Sequence, residues 1–310
     1  MPAMPVAVLD IGTNSTRLLI AQADTEKGTV DELVRHSRVT RLGDGVDAGG
    51  ALSEEAMQRV LDTLREYMQE IEAHRCEANL AVLTSAVREA SNGEQFAEQV
   101  REIGLDAKVL SGEEEAQLMF LGAMSGRAAA SEPTVVIDIG GGSTEFVVGV
   151  GRSAGFHVSV PVGVVRMSER HIHSDPPPDE ELQALAEDAR AAFLSKLPQD
   201  ERAPVRRGIA VAGTATSAAA MDLELEPYDA QRVHGHCLLL ATVELLLARL
   251  ADMTEQERRE VPGLHPDRAP TIVAGMILLI EAMKVMELEQ VEVSERDILH
   301  GGALRLAGLG

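Results

Sequence analysis

The sequence predicts an α/β protein of two similar lobes, each opening with an antiparallel strand meander and a small-residue turn. Two stretches carry this prediction. An apolar run leads into Asp10-Ile11-Gly12-Thr13-Asn14-Ser15, and a second apolar run follows. The same order returns at Asp138-Ile139-Gly140-Gly141-Gly142-Ser143-Thr144-Glu145. A pattern that returns after the length of a domain indicates duplicated lobes, and we expect the two turns to face each other across a cleft.

The first lobe is predicted to extend its meander into a parallel sheet. Strands are expected from residue 6 up to the turn that begins at Asp10, and at residues 17–23, 30–34, 79–84 and 107–110. Ser53 can cap a helix, because Met57, Val60, Leu61 and Leu64 then repeat at helical spacing. Further helices are expected at residues 95–103 and 113–124. The alternation of strand and helix implies that the later strands are parallel.

The second lobe repeats this plan. Strands are expected at residues 134–138, 144–150, 155–160, 208–211 and 291–293, and helices at 179–197, 236–250, 271–286 and 297–306. Residues 126–133 are small and polar, so the lobes are predicted to be 1–125 and 126–310. The closing helix, 297–310, is a candidate to pack on the first lobe.

Composition excludes several classes of function. The 310 residues hold 28 Lys+Arg against 50 Asp+Glu, a net charge of −22, which disfavours non-specific binding to nucleic acid or an anionic membrane. Aromatic residues make up 2%, too few for base-stacking platforms. The only cysteines, Cys76 and Cys237, are far apart, and no signal peptide or membrane span is recognised. We therefore expect a cytoplasmic protein.

The two turns are the strongest candidates for a ligand site. Glycine lets an anion approach the backbone closely, so such turns can aim N–H donors at a phosphate. The hydroxyls of Thr13, Ser15, Ser143 and Thr144 would add donors, and Asp138 is placed to hold a divalent cation or its water. The alternative is a duplicated hairpin with no ligand.

Other polar residues have both a functional and a structural interpretation. Glu113-Glu114-Glu115 can supply a carboxylate that activates water, or can simply stabilise a helix start. Arg17 and Arg88 follow strand ends and suit phosphate, although both could be surface residues. Residues 211–217 form either an adenosine-side turn or a tight connection. The pairs His171/His173 and His234/His236 have metal-like spacing, but loop or core histidines are commoner.

Together these residues resemble the exopolyphosphatase / guanosine pentaphosphate phosphohydrolase (Ppx/GppA) family. The resemblance rests on motifs spread over the whole chain, which begin at Asp10, Thr84, Ser111, Asp138, Pro161, Ala212 and Val293. It is greatest to short, two-domain actinobacterial exopolyphosphatases. The family belongs to the actin–hexokinase–chaperone superfamily, which implies two ribonuclease-H-like lobes with an interlobe cleft. It also implies hydrolysis of the terminal phosphoanhydride of inorganic polyphosphate, or of guanosine pentaphosphate.

The resemblance implies a role for each matching residue. Glu115 matches the catalytic glutamate, with Glu114 beside it. Asp138, Asp10 and Glu145 would bind or organise Mg²⁺, with Mn²⁺ or a monovalent cation such as K⁺ as alternatives. The implied phosphate ligands are Gly12, Thr13, Asn14, Ser15, Arg17, Arg88, Gly140, Gly141, Gly142, Ser143 and Thr144, to which we add Gly213 and Thr214.

Several expectations concern substrate and assembly. Longer relatives carry a C-terminal HD-like region that this sequence lacks, so short polyphosphate chains are the expected substrate. The family commonly dimerises, so a homodimer is expected. A superfamily ATPase and a non-catalytic polyphosphate or alarmone sensor are the remaining alternatives.

Overall fold

The computed structural model describes residues 4–43, 50–127 and 131–309. The chain divides into two compact units, Met1–Ala128 with Asp297–Gly310, and Ala129–Arg296. Each unit contains a mixed sheet and helices. The predicted α/β class is therefore confirmed. Part of the predicted boundary segment, residues 128–130, lies outside the described residues.

The described part of the first unit is built on a five-stranded sheet of order β3-β2-β1-β4-β5. Its strands are β1 (Val6–Ile11), β2 (Ser15–Asp24), β3 (Thr29–Val39), β4 (Ala78–Leu83) and β5 (Ala107–Val109). Its helices are α1 (Glu54–Ala73), α2 (Ser85–Glu89), α3 (Gly93–Glu102), α4 (Gly112–Ala123) and α13 (Ile298–Leu306). β1 and β2 are antiparallel, and β4 and β5 continue parallel to β1.

β1 is buried along its whole length because both faces of the sheet are covered. Leu9 and Ile11 pack in one core with residues of α1, whereas Val8 packs on the opposite face with Leu299 and Ala303 of α13. This alternation follows from the two-residue period of a strand. The helix that closes the chain thus belongs to the core of the first unit.

The described part of the second unit has a six-stranded sheet of order β10-β11-β9-β6-β7-β8. Its strands are β6 (Thr134–Ile139), β7 (Thr144–Val150), β8 (Ser153–Val160), β9 (Arg207–Val211), β10 (Cys237–Leu239) and β11 (Gln290–Val293). Its longer helices are α5 (Val164–His171), α6 (Asp179–Lys196), α8 (Ala212–Asp222), α10 (Leu240–Ala251) and α12 (Ile272–Val285). Short turns α7 (Gln199–Arg202), α9 (Ala230–Val233), α11 (Glu255–Arg258) and the 3₁₀ turn Pro266–Arg268 connect them.

One predicted element is wrong in part. The apolar stretch 236–250 was expected to be one helix, but Cys237–Leu239 forms the edge strand β10 and the helix begins at Leu240. β10 pairs antiparallel with β11, and a short apolar run suits a strand or a buried helix equally well. Pairing with a strand more than fifty residues away decides the outcome, and the local sequence does not contain that information.

In both units the parallel strands end at a common edge of the sheet. In the first unit Ile11 lies opposite Leu83, and Leu83 opposite Val109. In the second unit β6 and β9 are likewise in register. Ligands of open α/β sheets bind at the carboxyl ends of the strands, so the turns and helix starts that follow these ends are where function is expected.

Candidate active site

The two predicted turns have the same backbone geometry. The N–H of Gly12 donates to the carbonyl of Ser15 at 3.0 Å, and the N–H of Gly140 donates to that of Ser143 at 2.9 Å. Each turn connects two antiparallel strands, and the pair next to last before the turn holds an aspartate, with Asp10 opposite Arg17 and Asp138 opposite Glu145. The repeat read from the sequence is therefore a repeat of structure, but the partners differ in charge: a cation, Arg17, faces Asp10, whereas an anion, Glu145, faces Asp138.

The second unit's turn is held by the start of α5. The N–H groups of Val164 and Val165 donate to the carbonyls of Gly140 and Gly141, both at 2.9 Å. Because a trans peptide is planar, the amides of Gly141 and Gly142 then point away from α5. The Gly140 amide is used inside the turn. The amides of Gly141 and Gly142 are therefore the ones oriented to bind an anion.

The first unit's turn is held in the same way by the segment after β3. The carbonyl of Thr13 accepts from Gly43 N–H at 2.8 Å, and that of Asn14 accepts from Thr40 and Arg41 N–H at 3.0 and 2.9 Å. The amide of Asn14, in the same peptide plane as the Thr13 carbonyl, points the opposite way. Both turns thus combine a supported carbonyl side with an outward amide side.

Glu115 and Arg88 lie together next to this first turn. The hydroxyls of Thr13 and Ser85, the first residue of α2, are 3.2 Å apart. One helical turn later, Arg88 Nη1 donates to Glu115 Oε2 at 2.9 Å and to the Leu110 carbonyl at 2.8 Å. The side chains of Arg88 and Glu115 are 31% and 21% exposed, so both can be reached from solvent. The structure brings a carboxylate and a guanidinium to the edge where the turn lies.

Glu114 has a structural role. Its Oε2 accepts from Ser111 N–H at 2.9 Å while its own N–H donates to the Ser111 hydroxyl at 3.2 Å, a complete capping box. The backbone hydrogen bond from Ser111 lowers the pKa of Glu114 below its ordinary value. Because its carboxylate caps α4, we do not retain Glu114 as a catalytic residue.

Arg17, expected to contact phosphate, is bound by carboxylates instead. Its Nε and Nη2 donate to Asp10 Oδ2 at 2.9 and 2.5 Å, and its Nη1 donates to Asp297. Burial raises the pKa of Asp10, and the charge of Arg17 opposes this shift. Asp10 and Arg17 thus pair with each other beside the turn, and their roles as a Mg²⁺ ligand and a phosphate ligand stay predictions.

The line of charges continues from Asp297 into the protein. His300 is fully buried, with Nε2 2.9 Å from Glu32 Oε1 and Nδ1 3.7 Å from Asp297 Oδ1. Burial alone would lower the pKa of His300, but the two carboxylates outweigh it and raise that pKa. Burial likewise would raise the pKa of Asp297, but Arg17 and His300 hold it below its ordinary range. The contacts therefore run from Asp10 through Arg17, Asp297 and His300 to Glu32, and charges alternate along them when His300 is protonated.

Asp138 and Glu145 fit a divalent cation better than Asp10 does. They lie opposite each other on neighbouring strands, and both are partly exposed. Glu145 Oε1 accepts hydroxyl hydrogen bonds from Ser143 at 2.5 Å and Ser159 at 2.8 Å, which orient it. Within the described residues no three His, Cys, Asp or Glu side chains form a metal-binding group. Mg²⁺ commonly uses one or two carboxylates together with phosphates and water, so the pair suits this ion.

Two threonines among the predicted phosphate ligands are buried. Thr144 is 0% exposed and donates its hydroxyl to the Val162 carbonyl at 2.6 Å. Thr214 is 4% exposed and faces Gly275 of α12, where a Cβ would lie 3.0 Å from its side chain. Both therefore support the fold rather than offer hydroxyls to a ligand.

Gly213 lies beside an arginine that sequence reasoning missed. A Cβ on Gly213 would come within 1.7 Å of Arg268 Nη1, so the guanidinium rests on this glycine at the start of α8. Arg166 was also missed as a ligand candidate, and its Nη2 is 3.9 Å from a Cβ placed on Gly142. The available signal for Arg166 was its position three residues after Gly163, the glycine that precedes α5. Both arginines add positive charge beside glycines of the second unit.

The histidine pairs have carboxylate partners. His171 Nε2 lies 2.9 Å from Asp188 Oδ2, and His236 Nε2 lies 2.6 Å from Asp222 Oδ2. These contacts account for one histidine of each pair without a metal. None of the helices among the described residues is both long enough and apolar enough to cross a membrane.

Comparison with known proteins decides the family. A model of the Ppx/GppA phosphatase family matches residues 19–307. The chain belongs to this family. The resemblance read from the sequence is thereby confirmed. Among its relatives, exopolyphosphatase 2 of Mycobacterium tuberculosis is 36% identical over 315 residues, covering 98% of both chains.

Solved structures of Ppx/GppA proteins share the fold. The family member from Aquifex aeolicus matches with a TM-score of 0.87 at 30% identity, over 98% of this chain and 97% of that one. An exopolyphosphatase from Cytophaga hutchinsonii matches with a TM-score of 0.83 at 25% identity, over 99% of each chain. The similarity therefore covers both units.

Proposed function

We propose that this protein is an exopolyphosphatase that removes the terminal phosphate of inorganic polyphosphate. The proposal is supported by full-length similarity to a mycobacterial exopolyphosphatase and by one structural observation. That observation is the Glu115 carboxylate, held by Arg88 at the sheet edge that carries the first phosphate-binding turn. Hydrolysis of a phosphoanhydride needs a positioned water and stabilised negative charge, and these groups can provide both.

In the proposed reaction Glu115 is the general base. The water oxygen bonds to the terminal phosphorus while the bond from phosphorus to the bridging oxygen breaks. Glu115 takes the proton of the water, and orthophosphate and a chain shortened by one phosphate leave. Arg88 holds the Glu115 carboxylate in place and lies where it can also donate to a phosphate oxygen.

The amides offered to phosphate oxygens would be that of Asn14 in one turn and those of Gly141 and Gly142 in the other, which point away from the segments that support them. Asp138 and Glu145 would hold Mg²⁺, which supplies charge neutralisation to the phosphates when bound. Arg166 lies beside Gly142 and adds a donor suited to phosphate.

We also propose the homodimer expected from the resemblance, and sedimentation velocity tests it by measuring the mass of the protein in solution.

Phosphate release from four substrates tests the function. Tripolyphosphate, long-chain polyphosphate, guanosine pentaphosphate and ATP are compared with Mg²⁺ and with EDTA. We expect the highest kcat/KM on a polyphosphate and loss of release in EDTA. ADP as the main product would indicate an ATPase, and tight binding without release would indicate a sensor; either result would overturn the proposal.

Guanosine pentaphosphate hydrolysis is the second candidate, because the Ppx/GppA family includes it and because backbone amides of the turns suit phosphates and not a particular base. A higher kcat/KM for guanosine pentaphosphate than for either polyphosphate would select this activity over the first.

A further inference from the structure

A basic strip, residues 33–43, runs along the second half of β3 and the segment after it in an otherwise acidic protein. Residues 33–43 contain Arg35, His36, Arg38 and Arg41 and no acidic residue, in a chain of net charge −22. The strip leads from the edge strand of the first unit directly to the turn of Thr13 and Asn14. Arg35 and Arg38 are three positions apart on β3 and so lie on opposite faces of the sheet. The end of the strip at Arg41, next to the turn, is therefore the part that a polyanion lying along this edge would meet.

The arginines of the strip differ in what already binds them. Arg38 donates to Glu66 at 2.7 Å, and Arg35 lies 3.7 Å from Glu32. Arg41 is exposed and has no carboxylate partner among the residues that the structure describes. Of the three, Arg41 is therefore the arginine available to an added anion.

Arg41 is fixed to the phosphate-binding turn by its backbone. Its N–H donates to the Asn14 carbonyl at 2.9 Å, and its φ of 49° is in the left-handed region that a branched or long side chain rarely adopts. Arg59 of α1 donates to the carbonyls of Thr40 and Arg41 at 3.0 and 3.3 Å. A second guanidinium is thus held beside a strained segment, and such strain concentrates at functional sites.

The sheet order places Arg41 and Glu115 on opposite sides of the turn. Along the edge, Arg41 follows β3, the turn joins β1 and β2, and Glu115 follows β5. Four strand spacings of about 4.8 Å separate the ends of β3 and β5, or about 19 Å. A linear anion lying along this edge, with its terminal phosphate at Glu115, brings its later phosphates towards Arg41.

We propose that Arg41, with Arg59 behind it, forms a subsite for the phosphates of a polyphosphate chain that lie beyond the cleaved bond. The subsite rests on the proposed exopolyphosphatase function and adds to it a preference for chains long enough to reach across the edge. Its contact is electrostatic, so binding of long chains becomes more sensitive to salt because each phosphate contact releases counterions.

Substitution of Arg41 tests the subsite, with Arg75→Ala as the matched control. Arg75 is also an exposed arginine with positive φ (53°), but it lies beyond the far end of α1. Arg41→Ala is expected to raise the ratio of KM for long-chain polyphosphate to KM for tripolyphosphate about tenfold. It is also expected to reduce the log–log slope of long-chain binding against salt by about one. Arg41→Lys, which keeps the charge, should restore part of the KM ratio and part of the salt slope. Arg75→Ala should change neither quantity.

Binding measured without turnover separates the two proposals. Long-chain polyphosphate and tripolyphosphate are titrated calorimetrically into Glu115→Gln, alone and combined with Arg41→Ala or Arg75→Ala. A loss of about tenfold in long-chain affinity with Arg41→Ala alone supports the subsite. Equal long-chain affinity in the Arg41→Ala and Arg75→Ala proteins overturns the subsite while leaving the function standing. If the wild-type protein neither binds nor cleaves either polyphosphate, the proposed function fails and the subsite with it.

Discussion

Replacing Asp297 by Asn should destabilise the first unit by removing one charge from a buried network. Asp297 binds Arg17 and faces His300, and its side chain is 9% exposed. Breaking a buried ion pair by removing one partner typically costs about 3–5 kcal/mol. Arg17 keeps its bonds to Asp10 and is 26% exposed, so we expect the lower end, a loss of about 3 kcal/mol in the free energy of unfolding.

A second substitution separates the charge of Asp297 from its capping role. Asp297 Oδ1 accepts from Leu299 N–H at 3.0 Å at the start of α13, and Asn is as good a cap as Asp. Asp297→Ala loses the cap as well and should cost about 1 kcal/mol more than Asp297→Asn. The exposed Asp267, 87% accessible, provides the control Asp267→Asn, expected to change stability by less than about 0.5 kcal/mol.

Urea denaturation followed by circular dichroism measures all three variants. Stability of Asp297→Asn within about 0.5 kcal/mol of the wild-type value would refute the argument that the alternating charges stabilise this unit. Equal losses in Asp297→Asn and Asp297→Ala would instead show that the cap contributes nothing.

Two further predictions concern His300 and Asp138. The pKa of His300 is raised in the folded state, so its stabilisation is complete below the ordinary value of about 6.5 and is lost as pH rises through the raised pKa. Between about pH 6 and about pH 9, the melting temperature of the wild-type protein should therefore fall relative to that of His300→Gln. If the two proteins show the same dependence of melting temperature on pH, the His300 ring is neutral and its Nδ1 accepts the Asp297 N–H at 3.3 Å. Asp138→Asn should lower kcat at least about tenfold and raise the Mg²⁺ concentration needed for half-maximal rate; an unchanged Mg²⁺ titration would count against Asp138 as a ligand.

Features that depend on local periodicity could be predicted from the sequence. The two turns, the strands around them and the helix after Ser53 were expected, because glycine, hydroxyl and apolar residues repeat there at strand and helix spacing. The start of α4 was expected because of its three acids, but the capping box of Ser111 was not predicted. The spacing Ser111-x-x-Glu114 was the available signal, because a capping box uses the acid at the third helical position.

Features that depend on distant partners could not be predicted. Arg17 was expected to bind phosphate, yet its second carboxylate, Asp297, is 280 positions along the chain. Thr144 occupies the same place in its turn as Thr16 in the other, and both hydroxyls are buried against the segments that support them. Sequence alone identifies which residues can hydrogen-bond, whereas the packing of the sheet decides which of them remain available to a ligand.

Glu115→Gln tests the central claim most directly. The amide keeps the size of the carboxylate and can still accept a hydrogen bond from Arg88, so the protein should fold as the wild type does, with the same melting temperature within error. It should also still bind polyphosphate. Since glutamine cannot take the proton of the attacking water, phosphate release should fall by at least about a hundredfold. Full turnover by a folded Glu115→Gln protein would contradict the account.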